Sequence, residues 1–415
     1  MAELGEQPDT APVRQLLDRF VDAGALHPEH ERAPFSATDV TVVIPAYGQV
    51  PRELPAGVHV IVVDDASPSP LTLQHSQDVA PGLRQTLLRH DTNRGPAAAR
   101  NTGLAQVTTA LVAFVDTDVH LGDGWLEPLL AHFADERVAL VAPRVASANG
   151  ATWLARYEVR HSPLDLGPEP ARIAPGTRVS YVPSAALLCR TDAVRAIGGF
   201  DEGMRLGEDV DLVWRMAAAH RCRYEPSSVV HHEPRSTVTA LLQQRFGYGR
   251  SASSLARRHP NALAPVRMSG WSALSWLLIV TRHPLVGIGV AGGTTVALQR
   301  KLSDVPGAES ARLAALGHLA AGRQFANATT RVWWPLALIA AALSRRARWT
   351  VIAALVAPVL IDSARSRTLR PVVDAPLAAV EQMAYGAGVW AGVVAERELG
   401  PLRPDFTNWP PRNGE

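Results

Sequence analysis

The sequence has almost no lysine and almost no cysteine. Its 41 basic residues include a single lysine, Lys301, which leaves 40 arginines. Schiff-base enzymes, P-loop nucleotide hydrolases and protein kinases each need an ammonium at a fixed place. Lys301 follows an apolar stretch and has no glycine-rich turn before it, so these classes are excluded. Arginine is left as the anion-binding cation. Two cysteines, Cys189 and Cys222, cannot build a disulfide framework or a four-cysteine zinc site, and a reducing compartment is expected. Excess charge is also missing. The net charge is +2, without the strongly basic balance of a nucleic-acid binder, so no nucleic-acid partner is expected. The opening residues MAELGEQPDT contain no apolar run, which predicts no secretory signal.

What is present falls into three compositional regions over 415 residues. Residues 1–38 are polar, with one amphipathic helix expected over 13–25. Residues 39–255 alternate short β-branched runs with helical patterns. TVVIPAY (41–47), VHVIVVDD (58–65), ALVAFVDTD (110–118) and VALVAPRV (138–145) read as buried strands, and 95–104 reads as a helix. Continuous apolar strands alternating with helices predict an α/β domain whose parallel sheet is covered on both faces. Residues 256–415 carry apolar blocks at 271–281, 285–298, 332–343 and 350–361, separated by arginine clusters. None reaches the ~18–20 apolar residues of a membrane span. The arginine-rich breaks suit an anionic leaflet, so this helical region is expected to associate peripherally with the cytoplasmic side of the cell membrane.

In parallel α/β sheets ligands bind beyond the carboxyl ends of the strands. Two strands here run into carboxylates, Asp64-Asp65 and Asp116-Thr117-Asp118. Side chains i and i+2 of a strand share a face, so Asp116 and Asp118 are expected to point into one site as hard oxygen ligands for Mg²⁺ or Mn²⁺. Asp64-Asp65 could accept from a nucleobase or ribose, or could cap a helix. Asn93-Arg94-Gly95-Pro96 opens a helix carrying Arg100 and Asn101, an anion-friendly corner. Gly198-Gly199-Phe200-Asp201-Glu202 precedes the acidic pair Glu208-Asp209, either of which could act as general base toward a hydroxyl acceptor. His231-His232 closes another strand and could add a metal ligand or phosphate contact.

The order and spacing of these pieces resemble the family 2 inverting glycosyltransferases over roughly residues 39–255. The resemblance implies a GT-A (Rossmann-like) fold, a UDP-sugar donor and a divalent metal. It implies that Pro45, Asp65, Arg94, Arg100 and Asp116 serve the donor, with Asp65 on the uracil or its ribose. Asp118, Asp116 and His231 become the expected metal ligands, Asp209 the catalytic base, and Glu208 an acceptor contact. The segments 162–167 (SPLDLG) and 175–186 (PGTRVSYVPSAA) are similar to the mycofactocin-system members of that family, which implies β-linked glucose transfer to a peptide-derived redox cofactor precursor. A cell-envelope lipid or polysaccharide acceptor is the alternative, and a non-catalytic carbohydrate- or membrane-binding module a distant one. Three positions depart from the family pattern: Ala66 for the glycine often found after the acidic pair, and Leu242 and Phe246 within the QxxRW signature.

Overall fold

The computed structural model describes residues 10–29, 32–49, 51, 54–55, 57–73 and 84–407. The chain divides into two compact units, Met1–Ser236 and Thr237–Glu415. The compositional change at 256 therefore lies inside the second unit.

The first unit is built on a nine-stranded sheet. Its strands are β1 (Val40–Ala46), β2 (His59–Asp64), β3 (Gln85–Arg89), β4 (Leu111–Val115), β5 (Val119–Leu121), β6 (Val138–Ser147), β7 (Ala171–Arg172), β8 (Ala186–Arg190) and β9 (Arg221–His232). The helices are α1 (Ala11–Asp22), α2 (Pro96–Gln106), α3 (Glu127–Ala131), α4 (Trp153–His161), α5 (Thr191–Ala196) and α6 (Glu208–Ala219). Strand order is β3-β2-β1-β4-β8-β6-β9-β5, with β7 paired to β9. The β-branched runs of β1, β2, β4 and β6 occupy its centre, where Val42, Val62, Phe114 and Leu140 are wholly buried.

The sheet is mixed, which corrects the expectation of a parallel one. β8 runs antiparallel to both β4 and β6, and β5 and β7 run antiparallel to β9. An apolar run such as ALLCR has the same pattern in either direction, so strand polarity is not encoded in it. α2 lies close on the sheet through the buried Ala97, Ala98 and Ala99. Gly103 completes that contact: a Cβ there would sit 2.3 Å from a methyl of Val43.

The second unit is helical: α7 (Val238–Arg250), α8 (Ala252–Arg258), α9 (Gly270–Val280), α10 (Pro284–Lys301), α11 (Gly307–Arg331), α12 (Trp334–Leu343), α13 (Arg345–Ser366) and α14 (Arg370–Glu396), with a small parallel pair, β10 (Arg267–Ser269) and β11 (Asp405–Thr407). α7 is tied to α14 by a buried ion pair, Arg245 to Glu381 at 2.7 Å. α13 corrects the expectation that no apolar stretch is long enough for a span. It has 22 residues, long and apolar enough to cross a membrane by length and composition, and none of them is buried. The helix extends beyond the 350–361 block at both ends, through Trp349 on one side and Asp362 on the other.

Candidate active site

The site gathers at the carboxyl ends of β1, β2 and β4 and the first turn of α6. At the end of β2, Asp64 is buried and accepts from the amides of Ser67 (2.9 Å) and Leu71 (3.2 Å) and from the Arg89 guanidinium. Burial raises its pKa, but these bonds outweigh it and hold it below the ordinary value. Asp65 is 4% exposed and turned inward. It accepts from the amides of Arg94 (2.8 Å) and Gly95 (2.7 Å) and pairs with His90 Nδ1 at 2.7 Å. Both oxygens are thus engaged in holding the 93–95 loop, with Oδ2 accepting a single bond. Between them and Ser67, Ala66 adopts φ +59°, a left-handed conformation that explains why glycine suits this position.

Arg100, also expected at the donor, is likewise held by protein carboxylates. It is 3% exposed. Its Nη1 donates to Glu208 at 2.9 Å and its Nη2 to Asp116 at 2.7 Å, and the guanidinium carbon lies 5.2 Å from the centre of the Phe200 ring. The guanidinium ties one carboxylate of Asp116-Thr117-Asp118 to one of the Glu208-Asp209 pair. Asn101, one residue on, donates to the Phe200 carbonyl and accepts from the Phe200 amide, fixing the 198–202 loop against α2. Gly199 has φ +69°, and a Cβ there would meet Asn101 Oδ1 at 2.6 Å, so the clamp needs glycine. Arg94 is half-exposed and donates to Glu202 at 2.8 Å, while Pro45, next to last in β1, is partly exposed.

Asp116-Thr117-Asp118 occupies a turn between β4 and β5, so its two carboxylates are placed by that turn and not by strand alternation. They line a cavity of about 570 Å³ with Ile44, Gln49, Trp125 and Glu233. Asp118 lies 3.1 Å from His232 Nε2 and 3.8 Å from Arg235. Burial opposes ionisation there, but the His232 bond and the two cations prevail and lower its pKa. His232 is correspondingly raised: burial works against the charged ring, and Asp118 outweighs it. His231, the expected ligand, is exposed and stands opposite His120 in the β5–β9 ladder. Neighbours in a strand face opposite ways, so only one histidine of the pair can meet Asp118, and it is His232.

Among the described residues, no three His, Cys, Asp or Glu side chains form a ready metal shell. Asp118 and the second oxygen of Asp116 nevertheless offer hard ligands at an open cavity. That suits a cation whose remaining positions belong to substrate oxygens.

The acidic pair opens α6. Glu208 is buried against Arg100, and burial, then the Asp209 charge, push its pKa up to about 7. Asp209 is less covered, accepting from the Ser184 amide at 3.3 Å and from the Val210 amide at 2.8 Å. Burial raises its pKa too, with those amide bonds and Arg100 opposing. Glu208 is therefore turned inward against Arg100, and Asp209 is the more exposed of the two carboxylates. His90, Ser184 and Arg235 escape a reading of the sequence, and His232 carries a signal there only as half of the His231-His232 doublet.

The pattern described as glycosyl transferase family 2 matches residues 41–196. The chain is 43% identical over 412 residues to the pre-mycofactocin glycosyltransferase of Mycobacterium tuberculosis (strain ATCC 25618 / H37Rv), covering 94% of this chain and 87% of that protein. The chain belongs to glycosyl transferase family 2. Solved structures similar to this glycosyltransferase include Staphylococcus aureus TarS 1-349 in complex with UDP (19% identity, TM-score 0.38, 51% of this chain and 65% of that one). Another is the mannosyltransferase PcManGT from Pyrobaculum calidifontis in complex with GDP-Man and Mn²⁺ (18% identity, TM-score 0.40, 74% and 87%). The N-terminal unit is a GT-A domain, and the C-terminal unit is helical.

Proposed function

We propose that this glycosyltransferase moves a sugar, glucose in β linkage, from a UDP-sugar to a peptide-derived redox cofactor precursor of the mycofactocin type. The near full-length similarity to the pre-mycofactocin enzyme supports the acceptor class. The observation that carries the mechanism is the division of labour in the acidic pair. Arg100 occupies Glu208, leaving Asp209 free to take the acceptor hydroxyl proton. The attack then comes from the face opposite the departing diphosphate, so the anomeric centre inverts. Asp118 and Asp116 would hold Mn²⁺ or Mg²⁺, which supplies positive charge to the diphosphate leaving group. Arg94 offers a further cation at the mouth. Asp65 and His90 act indirectly, by fixing the 93–95 loop that borders the donor. Glu208 stays next to the acceptor path as the partner of Arg100.

Exposed apolar residues on α10, α12 and α13, among them Leu285, Leu343 and Leu360, support seating on the cytoplasmic face of the cell membrane. Retention of the protein on vesicles through salt, with release by carbonate, is the expected result.

The test of the reaction is mass spectrometry of products from UDP-glucose and the peptide-derived acceptor. Asp209→Asn is expected to keep UDP affinity and lose transfer by roughly 10²-fold or more, the scale for removing a positioned base. An α-linked product from the α-linked donor, or near-normal turnover of that variant, would refute the mechanism.

A further inference from the structure

A second cavity, of about 590 Å³, opens at the other end of the sheet. Its lining carries four arginines, Arg137, Arg172, Arg221 and Arg223, against two carboxylates, Asp22 and Glu136. Two of these arginines are neutralised within the fold. Arg137 pairs with Asp18 and Asp135, and Arg221 pairs with Asp18, Asp22 and Asp135.

Arg172 and Arg223 are different. They stand directly opposite each other in the antiparallel β7–β9 ladder, so their side chains leave the same face. Like charges in that position repel. Among the described residues, no carboxylate lies within ion-pair distance of either. Arg172 donates only to the Asp22 main-chain carbonyl. Arg223 is 3% exposed, yet its partners are the Leu26 carbonyl at 3.5 Å and His27 Nδ1 at 3.4 Å, both long. Burial and then the nearby Arg221 charge lower its pKa against the opposing charges of Asp135, Asp22 and Glu225, and burial followed by Arg223 lowers that of His27. A buried guanidinium whose counter-charges, Asp135, Asp22 and Glu225, all stand beyond ion-pair distance is costly, and a natural interior keeps one for a reason.

We infer that Arg172 and Arg223 form a binding site for a phosphate group, carried by a small phosphorylated molecule or as free phosphate. Two planar guanidinium forks match the oxygens of a phosphate dianion and cancel its charge. The cavity leaves room for the group the phosphate is attached to. Nine residues of β9 separate Arg223 from His232, up to about 30 Å of extended chain, so this site is distinct from the donor cavity.

The experiment uses the full chain saturated with UDP, which blocks the donor site, and titrates it calorimetrically with inorganic phosphate against chloride at equal ionic strength. One-site binding is expected, weakened about tenfold or more in Arg172→Gln, since a charge-assisted bond of this kind is worth roughly that factor. In chloride alone, Arg172→Gln should melt no lower than the native chain, because it relieves the opposed charges. A small phosphorylated sugar binding more tightly than phosphate would assign the site to the former source. Equal binding by native and variant chains, binding of citrate but not phosphate, or no binding overturns the inference. So does an Arg172→Gln variant that melts lower in chloride, which would make Arg172 a structural tether to α1. Arg223→Gln, if it folds, should reproduce the binding loss.

Discussion

The two units of this chain use apolar residues in opposite ways. In the N-terminal unit they vanish into the sheet, where β4 is buried along its whole length. In the C-terminal unit they face outward. α13 buries nothing, α12 buries only Ala337, and α10 only Gly287. Apolar content alone therefore does not say where a side chain ends. A strand in mid-sheet is covered on both faces by its own fold, whereas the second unit buries apolar side chains in small clusters such as Ala252, Val332, Val389 and Val393, none of them on these three helices. The polar groups differ likewise. In the first unit the charged side chains of the site are interlocked, and Arg100 binds two carboxylates at once.

Breaking that interlock should have the largest effect. Arg100→Gln leaves the buried Glu208 without its partner and is expected to cost about 3–5 kcal/mol in chemical denaturation. The pH dependence should move with it. The base must be ionised, and burial raises the Asp209 pKa above the ordinary carboxylate value, so the acid limb of kcat/KM in the native enzyme should lie at higher pH than a free aspartate would give. Removing the cation that opposes this rise should shift the limb to higher pH. Stability runs the other way. Because the folded pKa of Glu208 lies above its unfolded value, its ionisation disfavours the fold. That contribution should become more favourable as pH falls from about 7 toward the ordinary carboxylate range.

Next in size is a matched pair of truncations that sharpens the contrast between units. Leu188→Ala, wholly buried in β8, is expected to lose about 2–5 kcal/mol. Leu360→Ala, 56% exposed on α13, should change stability in water by no more than about 0.5 kcal/mol. Its effect belongs in vesicle binding, where apolar area counts. Equal losses in water would show that α13 is buried by protein. The smallest effect is a gain. Ala66→Gly removes the left-handed penalty at φ +59° and should raise stability by roughly 1 kcal/mol, read as a shift in denaturation midpoint.

Much of the site was legible because its signals are local. Asp116-Thr117-Asp118, the acidic pair at 208–209 and the loop at 93–101 each sit within a few residues, and their order along the chain is distinctive. What was not legible depends on pairing between distant segments. Arg100 looks like a free cation at a helix start until the fold brings Glu208, 108 positions later, within 2.9 Å. The choice between His231 and His232 depends on the β5–β9 register, which no periodicity supplies. Asp65 and His90 meet across 25 residues and two strands. The direction of β8 was hidden for a simpler reason, since an apolar strand of five residues has no polarity of its own.

That strand has a consequence for how the protein is made. β8 fills the gap between β4 and β6, yet it follows β4 by roughly 70 residues. On a ribosome adding about 5–20 residues each second, the finished β3-β2-β1-β4 ribbon waits several seconds with the edge of β4 open. That edge reads LVAFV, uncharged and β-prone, the kind of segment that recruits another chain when left unpaired. Slow translation through 116–185 would lengthen this exposure, and crowded overexpression would punish it with aggregates. Yield of the intact protein should thus respond to synthesis rate and to chaperones that shelter nascent strands more than to its final stability.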